Sequence, residues 1–143
     1  MASFAGAFAA SHGPLIIREW DAMPAGEKSR LKSAFEELGR RLKSARPDAL
    51  IVVSPDHWSN FFLDNYPAVC LGVGAANEGP PEPWMKAFAH RDIAGHPALA
   101  VHIAEEAMRA GFEPSVSHRL KLDHGACIPL WRMGLETLPK IVP

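Results

Sequence analysis

Apolar residues recur with helical spacing in one long segment of the chain, residues 24–45. Its apolar positions lie three or four residues apart, and charged residues fill the opposite face, which is typical of a helix with one buried side. The sequence Arg46-Pro47-Asp48 ends this pattern. A second helix is predicted over residues 97–111, which open with a proline and close with a glycine. A third is predicted over residues 129–137.

Other apolar residues form short uninterrupted runs, which are typical of strands buried on both faces of a sheet. The clearest run is ALIVVS at residues 49–54, bounded by two prolines. The glycine- and proline-rich residues 74–95 are predicted as a long loop with a short helical piece near residues 84–89. Further strands are predicted at residues 3–10, 68–73, 115–118 and 140–143.

Helices that alternate with buried strands predict an α/β fold, a three-layer α/β/α sandwich around a mixed, mostly parallel sheet. The length of 143 residues fits one domain. Residues 140–143 have the composition of a central strand at its beginning, and a central strand without a neighbour exposes an edge that native proteins usually avoid. We therefore expect residues 1–143 to be the N-terminal part of a single, longer domain, so that the fold is truncated.

The balance of charges narrows the classes of partner. Lys and Arg total 15 and Asp and Glu total 16, which gives a formal net charge of -1. Nucleic acids and anionic membranes attract a surplus of positive charge, so neither is an expected partner. The first ten residues lack the basic start of a signal peptide. Cys70 and Cys127 are too far apart in sequence for a CxxC motif, which suits a reducing compartment, and we expect a cytoplasmic protein.

The chain has seven histidines, and three of them directly follow predicted strands: His12, His57 and His124. Ligands of open α/β sheets bind at the carboxyl ends of strands, so these three side chains can converge at one edge. Neutral imidazoles bind divalent iron, zinc, copper or nickel. A surface or capping role is commoner for any single histidine, and we expect it for the remaining four: His90, His96, His102 and His118.

Three motifs occur in a fixed order along the chain: SHGPL at residues 11–15, SPDHWSNFF at residues 54–62 and LDHGACIPL at residues 122–130. Together they resemble the catalytic subunit of class III extradiol ring-cleaving dioxygenases. The run YPAVCLGVGA at residues 66–75 is similar to the branch that acts on 2,3-dihydroxyphenylpropionate and related catechols. The likeness covers nearly the whole chain and about the first half of a typical family member.

This resemblance implies a non-haem Fe(II) enzyme that opens a catechol-type ring beside its diol with O2 and gives a muconic semialdehyde-type product. It implies that His12 and His57 are the two imidazole ligands of the iron and that His124 is an acid/base group. Asp123 would set the orientation or the basicity of His124. A glutamate as third ligand and a second active-site histidine are expected beyond Pro143. No glutamate of this chain stands in a matching motif.

Two other classes of protein fit the same residues. A non-catalytic interaction subunit, or an inactive fragment of the same fold, would lack the metal and would form a homo-oligomer or associate with a partner subunit. A zinc hydrolase would use the same histidines without needing dioxygen. Asp56 and Asp123 also fit plain turn or capping roles. The following residues fit either the lining of an aromatic pocket or a packed core: Trp58, Asn60, Tyr66 and Trp84.

Overall fold

Four helices and six strands form in the part of the chain that the computed structural model describes, residues 3–86, 88–135 and 137–143. The helices are α1 (Leu15–Arg18), α2 (Ala25–Ala45), α3 (Pro97–Arg109) and α4 (His124–Arg132). The strands are β1 (Ala49–Ile51), β2 (Cys70–Gly72), β3 (Ala76–Gly79), β4 (Arg91–Ala94), β5 (Ser115–Ser117) and β6 (Lys140–Val142). Within these ranges, none of the helices has the length and apolar character needed to cross a membrane.

The strands pair two by two, and two of the three pairs are parallel. β1 pairs with β6 and β2 with β5 in parallel, whereas β3 and β4 form an antiparallel hairpin. Single backbone hydrogen bonds link the pairs. The N–H of Gly72 donates to the carbonyl of Pro143 at 2.9 Å, and the N–H of His96 donates to that of Ile141 at 2.9 Å. These bonds place the end of the chain from β6 onward beside β1, β2 and the segment after β4.

Helices cover both faces of this strand assembly. Successive residues of a strand point to opposite faces, and β6 shows this directly. Ile141 is fully buried in the cluster that contains Phe35 of α2, whereas Val142 is fully buried in a second cluster with Ala100 of α3. The predicted α/β fold with helices on both sides of the strands is therefore confirmed, with short strand pairs where one continuous sheet was expected.

Helix α2 lies close to α4, and a glycine allows the approach. A Cβ atom placed on Gly39 would lie 2.0 Å from the carbonyl oxygen of Met133, just after α4. The predicted helix 24–45 is observed as Ala25–Ala45, and it ends where Arg46 adopts a left-handed backbone with φ 46°. The predicted helix 97–111 is observed as Pro97–Arg109.

Two sequence predictions about where strands form are wrong. Residues 3–10 form no strand and residues 3–9 are exposed, with Phe4 83% accessible. This segment consists mostly of Ala, Gly and Ser, whose small side chains bury too little surface to hold it against a sheet. The predicted loop 74–95 contains the β3–β4 hairpin, whose polar sequences ANEG and RDIA lack the apolar runs that predict strands. Asn77 of β3 is nevertheless completely buried.

The two other predictions of helices also differ from the structure: one helix is absent from the described residues and the other is shifted. Residues 84–89 form turns and no helix where they are described, and Ala87 lies outside the described residues. The last helix begins at His124, five residues before the expected start, and ends at Arg132; Glu136 of the prediction lies outside the described residues. Pro129, where the prediction starts this helix, sits inside α4 and costs it one backbone hydrogen bond.

The close approach of α2 and α4 makes Gly39→Ala destabilising. The added Cβ meets a backbone carbonyl, so the helices must separate, and we expect the free energy of unfolding to fall by about 2 kcal/mol or more. Urea denaturation measures this change. Gly26→Ala is the control: a Cβ there meets nothing within 4 Å, so the same substitution in the same helix should stabilise by up to about 1 kcal/mol. Equal effects at both positions would contradict the packing.

Burial in α4 makes one thiol unreactive. Burial, with smaller contributions from the charges of Glu82 and Asp123, raises the pKa of Cys127 to about 12. In a Cys70→Ser variant at pH near 8, we expect the remaining thiol to react with a disulfide reagent at least about 100-fold more slowly than free cysteine, because so little thiolate is present. Urea should restore normal reactivity. Fast reaction in the folded state would contradict the burial of α4.

Candidate metal centre

His57 lies on a loop that follows β1, and a carboxylate fixes the shape of this loop. Asp56 accepts hydrogen bonds from the backbone N–H of Asn60 (3.2 Å), from its side-chain amide (2.7 Å) and from the N–H of Phe61 (3.1 Å). Trp58 adopts a left-handed backbone with φ 61°, a conformation that few non-glycine residues take. The loop therefore turns sharply at the residue after His57 and returns onto the Asp56 carboxylate.

Asp123 joins this loop to the start of α4. Its Oδ1 accepts the N–H of Gly125 at 2.8 Å, which makes Asp123 the N-cap of the helix. Its Oδ2 accepts the backbone N–H of His57 at 2.7 Å and lies 3.1 Å from the ring Nδ1 of the same residue. The carboxylate is buried, with 3% of Asp123 exposed. One side chain thus holds both the position and the ring of His57.

The contact between loop and helix leaves no room for a side chain at Gly125. A Cβ atom there would lie 2.9 Å from Oδ1 of Asp123 and 3.2 Å from Cε1 of His57. The absence of a side chain at position 125 lets the imidazole of His57 approach the first turn of α4. This close approach explains the glycine in the motif LDHGACIPL.

His124 is the first residue of α4, and a glutamate from another part of the chain holds it. Oε1 of Glu82 accepts the backbone N–H of His124 at 2.8 Å and lies 2.6 Å from its ring Nδ1. The indole of Trp84 lies beside the same imidazole, with 5.4 Å between ring centroids. The side chain of His124 is only 10% exposed. Its ring therefore has a fixed position at the helix start.

His12 reaches the same place from the N-terminal segment. Its ring centroid lies 5.2 Å from that of His57 and 6.1 Å from that of His124. Helix α1, which begins three residues later, is tied to α4 by a hydrogen bond of 2.7 Å from the guanidinium of Arg132 to the carbonyl of Ile16. Helix α4 therefore carries His124 itself and holds His57 through its N-cap Asp123. It is linked to the segment of His12 through the bond between Arg132 and α1.

The structure thus brings together the three histidines that the sequence analysis singled out. The rings of His57 and His124 are stacked with 4.1 Å between centroids. One ligand atom each from His57, Asp123 and His124 lie within 4.8 Å of one another, close enough to surround a metal ion. Two of the remaining histidines have other contacts: His96 caps α3 by accepting the N–H of Leu99 at 3.3 Å, and Nδ1 of His90 lies 3.1 Å from the carbonyl oxygen of Pro80.

The hydrogen bonds of Asp123 differ from the sequence expectation. We expected Asp123 to orient His124, but its carboxylate contacts His57, and the carboxylate on His124 belongs to Glu82. Adjacent residues at a helix start point in different directions, so sequence adjacency misassigned the pair. No spacing or motif distinguished Glu82, which lies 42 residues before its partner between two prolines.

The four residues that fitted either the lining of an aromatic pocket or a packed core differ in their contacts. Asn60 is structural: its side chain exchanges hydrogen bonds with the backbone of Lys121 at 2.8 and 2.9 Å. Tyr66 donates to the carbonyl of Asp56 at 3.3 Å. The ring of Trp58 lies against that of Tyr66, 5.5 Å between centroids, and both are about half exposed. Trp84 is the aromatic residue among the four whose ring lies beside His124.

The fold and this cluster define an α/β protein with a histidine-rich candidate metal centre at the start of α4. The family described as the catalytic LigB subunit of aromatic ring-opening dioxygenase matches residues 6–140. This match covers most of the chain, and the chain belongs to that family. The resemblance found in the three sequence motifs is thereby confirmed.

Curated relatives are named 2,3-dihydroxyphenylpropionate/2,3-dihydroxicinnamic acid 1,2-dioxygenase. A relative from Klebsiella pneumoniae (strain 342) is 33% identical over 111 residues, which are 76% of this chain and 34% of the relative. One from Rhodococcus globerulus is 30% identical over 120 residues, 84% of this chain and 36% of the relative. One from Escherichia coli (strain K12 / DH10B) is 29% identical over 142 residues, and the match covers 90% of this chain and 40% of the relative. The chain spans about a third to two-fifths of the length of these relatives.

Because Asp123 both caps α4 and binds His57, we expect Asp123→Ala to lower the free energy of unfolding strongly. The substitution removes an N-cap, worth about 1 kcal/mol, and leaves the His57 N–H without its acceptor, which costs about 1–3 kcal/mol. We expect the free energy of unfolding to fall by about 2–4 kcal/mol in urea denaturation. Asp123→Asn, which keeps one acceptor oxygen, should lose less stability than Asp123→Ala.

Asp64→Ala is the matched control, because Asp64 is an exposed aspartate near the same loop. It should change the free energy of unfolding by no more than about 0.5 kcal/mol. If Asp123→Ala were as mild as this control, the bonds from Asp123 to the loop and the helix would not hold in solution.

Proposed function

We propose that residues 1–143 form the N-terminal part of the catalytic domain of an extradiol ring-cleaving dioxygenase that depends on Fe(II). One observation carries the proposal: the rings of His12, His57 and His124, which come from three separate segments, lie within 4.1–6.1 Å of one another. Packing alone does not require three imidazoles at one place. Membership of the ring-opening dioxygenase family and the names of the curated relatives support the same activity.

His12 and His57 are the proposed ligands of the ferrous ion, and the 5.2 Å between their ring centroids supports this assignment. Nδ1 of His57 is engaged by Asp123, which leaves Nε2 free for a metal. A carboxylate on the second ring nitrogen is the usual support of a metal-binding histidine, since it fixes the ring and raises its basicity. Two histidines and one carboxylate are typical ligands of non-haem Fe(II) oxygenases.

The carboxylate ligand of this centre is expected from outside the chain. Asp123 already accepts the N–H groups of His57 and Gly125, so its oxygens serve the loop and the helix. We propose that the third ligand and a second acid/base histidine belong to a further part of the domain, or to a partner subunit. The 143 residues then supply two of three ligands and one of the proton-transfer groups.

A ferrous ion at this place supplies positive charge that favours the deprotonated form of a catechol, and a redox-active centre for its reaction with O2. The residues of the chain hold and move protons. Nδ1 of His124 faces Glu82, so Nε2 is the nitrogen able to take a proton from a catechol hydroxyl and return it later. Trp84 contributes an aromatic surface next to this imidazole. Ring opening beside the diol gives a muconic semialdehyde-type product.

Substitution of either proposed ligand histidine should strongly weaken iron binding. In anaerobic titrations of the chain with Fe(II), we expect His12→Ala and His57→Ala to weaken binding by at least about 100-fold, since loss of a residue that only supports a ligand costs about 10–100-fold. His124→Ala should retain the iron. The control is His102→Ala, an exposed histidine of α3, which should bind iron as the unaltered chain does.

Turnover is tested on the full product of the gene, loaded with Fe(II) without oxygen. Addition of a catechol and air should produce the yellow ring-opened product, and His124→Ala should lose this activity while keeping its iron. Full iron binding and full activity in His12→Ala would refute the site. Activity that needs zinc and no O2 would favour a hydrolase, and a metal-free dimer would favour a non-catalytic interaction subunit.

A further inference from the structure

Glu82 is the acidic residue of the candidate site that neither the motifs nor the proposed iron ligands account for. It lies on the segment between β3 and β4 and reaches the start of α4. Its Oε1 accepts the backbone N–H of His124 at 2.8 Å and faces the ring Nδ1 at 2.6 Å. A single oxygen thus contacts both the main chain and the side chain of one histidine.

The carboxylate of Glu82 pairs with this histidine in a place that is largely shielded from water. Among the described residues, His124 is its one ion-pair partner. The side chains of Glu82 and His124 are 15% and 10% exposed, so water competes little with the contact. The other carboxylate oxygen, Oε2, is buried and has no hydrogen-bond partner among the described residues. A carboxylate in such a place is costly unless the bonds of its first oxygen are strong.

The hydrogen bonds identify which ring nitrogen carries a proton. A backbone N–H can only donate, so Oε1 acts as an acceptor towards it, and an ionised carboxylate accepts towards the ring as well. Nδ1 of His124 is therefore the donor. In a neutral imidazole the other nitrogen is then the acceptor. The described residues place no hydrogen bond on Nε2.

Neighbouring rings hold the plane of the imidazole, and the carboxylate decides its orientation within that plane. The ring of His57 stacks on that of His124 with 4.1 Å between centroids and 29° between planes, and Trp84 lies 5.4 Å away. A half-turn of the imidazole would place a carbon atom opposite Oε1 and lose the bond of 2.6 Å. The stacked ring therefore holds the plane of the imidazole, and the carboxylate selects the orientation within that plane that has Nδ1 on the Glu82 side.

We propose that Glu82 is the positioning residue of His124: it holds the Nδ1 proton, so that Nε2 is the nitrogen that exchanges protons with a substrate. This role rests on the proposed function of His124 as an acid/base group. It corresponds to the carboxylate that orients the histidine of a catalytic triad, which fixes the tautomer without itself taking the proton. Asp123 performs the equivalent task for the metal ligand His57.

The position of the ring proton tests the proposal in the metal-free chain. With 15N-labelled histidine, two-bond proton–nitrogen correlation spectra at mildly alkaline pH distinguish a protonated ring nitrogen from an unprotonated one. The signals of His124 are identified by their loss in His124→Gln. We expect a protonated Nδ1 in the unaltered chain. An unprotonated Nδ1 with a proton on Nε2 would overturn the proposal, and this measurement requires no altered Glu82.

Variants then show whether Glu82 is the cause. Glu82→Ala removes a charge-assisted acceptor, so the ratio of the Nδ1–H to the Nε2–H form of His124 should fall at least about tenfold. Glu82→Gln, which keeps a neutral oxygen of the same reach, should give an intermediate ratio. The control is Glu78→Gln on the same hairpin, whose carboxylate pairs with Arg119 at 3.0 Å and should leave the ratio unchanged.

An unchanged ratio in Glu82→Ala would overturn the positioning role. A loss of stability without a change of tautomer would mean that Glu82 only packs against α4. Because the spectra require neither iron nor turnover, their result is separate from that of the iron titrations. Failure of His12→Ala to affect iron would refute the proposed function and leave the tautomer result as it stands.

Discussion

The candidate site depends on one buried carboxylate at the start of one helix. Asp123 caps α4 and, with its second oxygen, binds the backbone and the ring of His57. Buried carboxylates are stable only where donors surround them, and here the donors are the loop and the helix that the site must hold together. The same interaction therefore contributes to stability and sets the distance between His57 and His124. Any displacement of α4 moves both histidines.

The two ends of α4 hold different parts of the candidate site in place. Its first turn carries His124 and receives Glu82, whereas its last turn carries Arg132, which binds the carbonyl of Ile16 in α1 and so anchors the segment that follows His12. Residues 3–9 are exposed and have no regular structure. His57 and His124 are thus each held by a carboxylate, whereas the segment that carries His12 is linked to α4 through the bond to Ile16. A ligand bound by all three rings would constrain His12 further.

The sequence predicted the convergence of the three histidines better than the backbone around them. The helix Ala25–Ala45 could be predicted because its apolar spacing reflects burial directly. The prediction that the run at residues 49–54 is a strand buried on both faces is wrong, since β1 covers only Ala49–Ile51 and Val53 is 94% exposed. Three histidines after strand-like segments also indicated convergence. The β3–β4 hairpin could not be predicted because its strands are polar, and residues 3–10 resemble a strand because small apolar residues fit several structures. Glu82 could not be found, since its contact with His124 exists only in the folded chain.

The stacked arrangement of His57 and His124 can be measured directly in solution, and the proposed centre requires it. Nuclear Overhauser effects between the ring protons of these two residues report the stacking. The pair Phe88–Trp131 has the same centroid distance of 4.1 Å and serves as an internal reference. We expect cross-peaks for both pairs. Cross-peaks for Phe88–Trp131 together with none between His57 and His124 would contradict the convergence of the histidines.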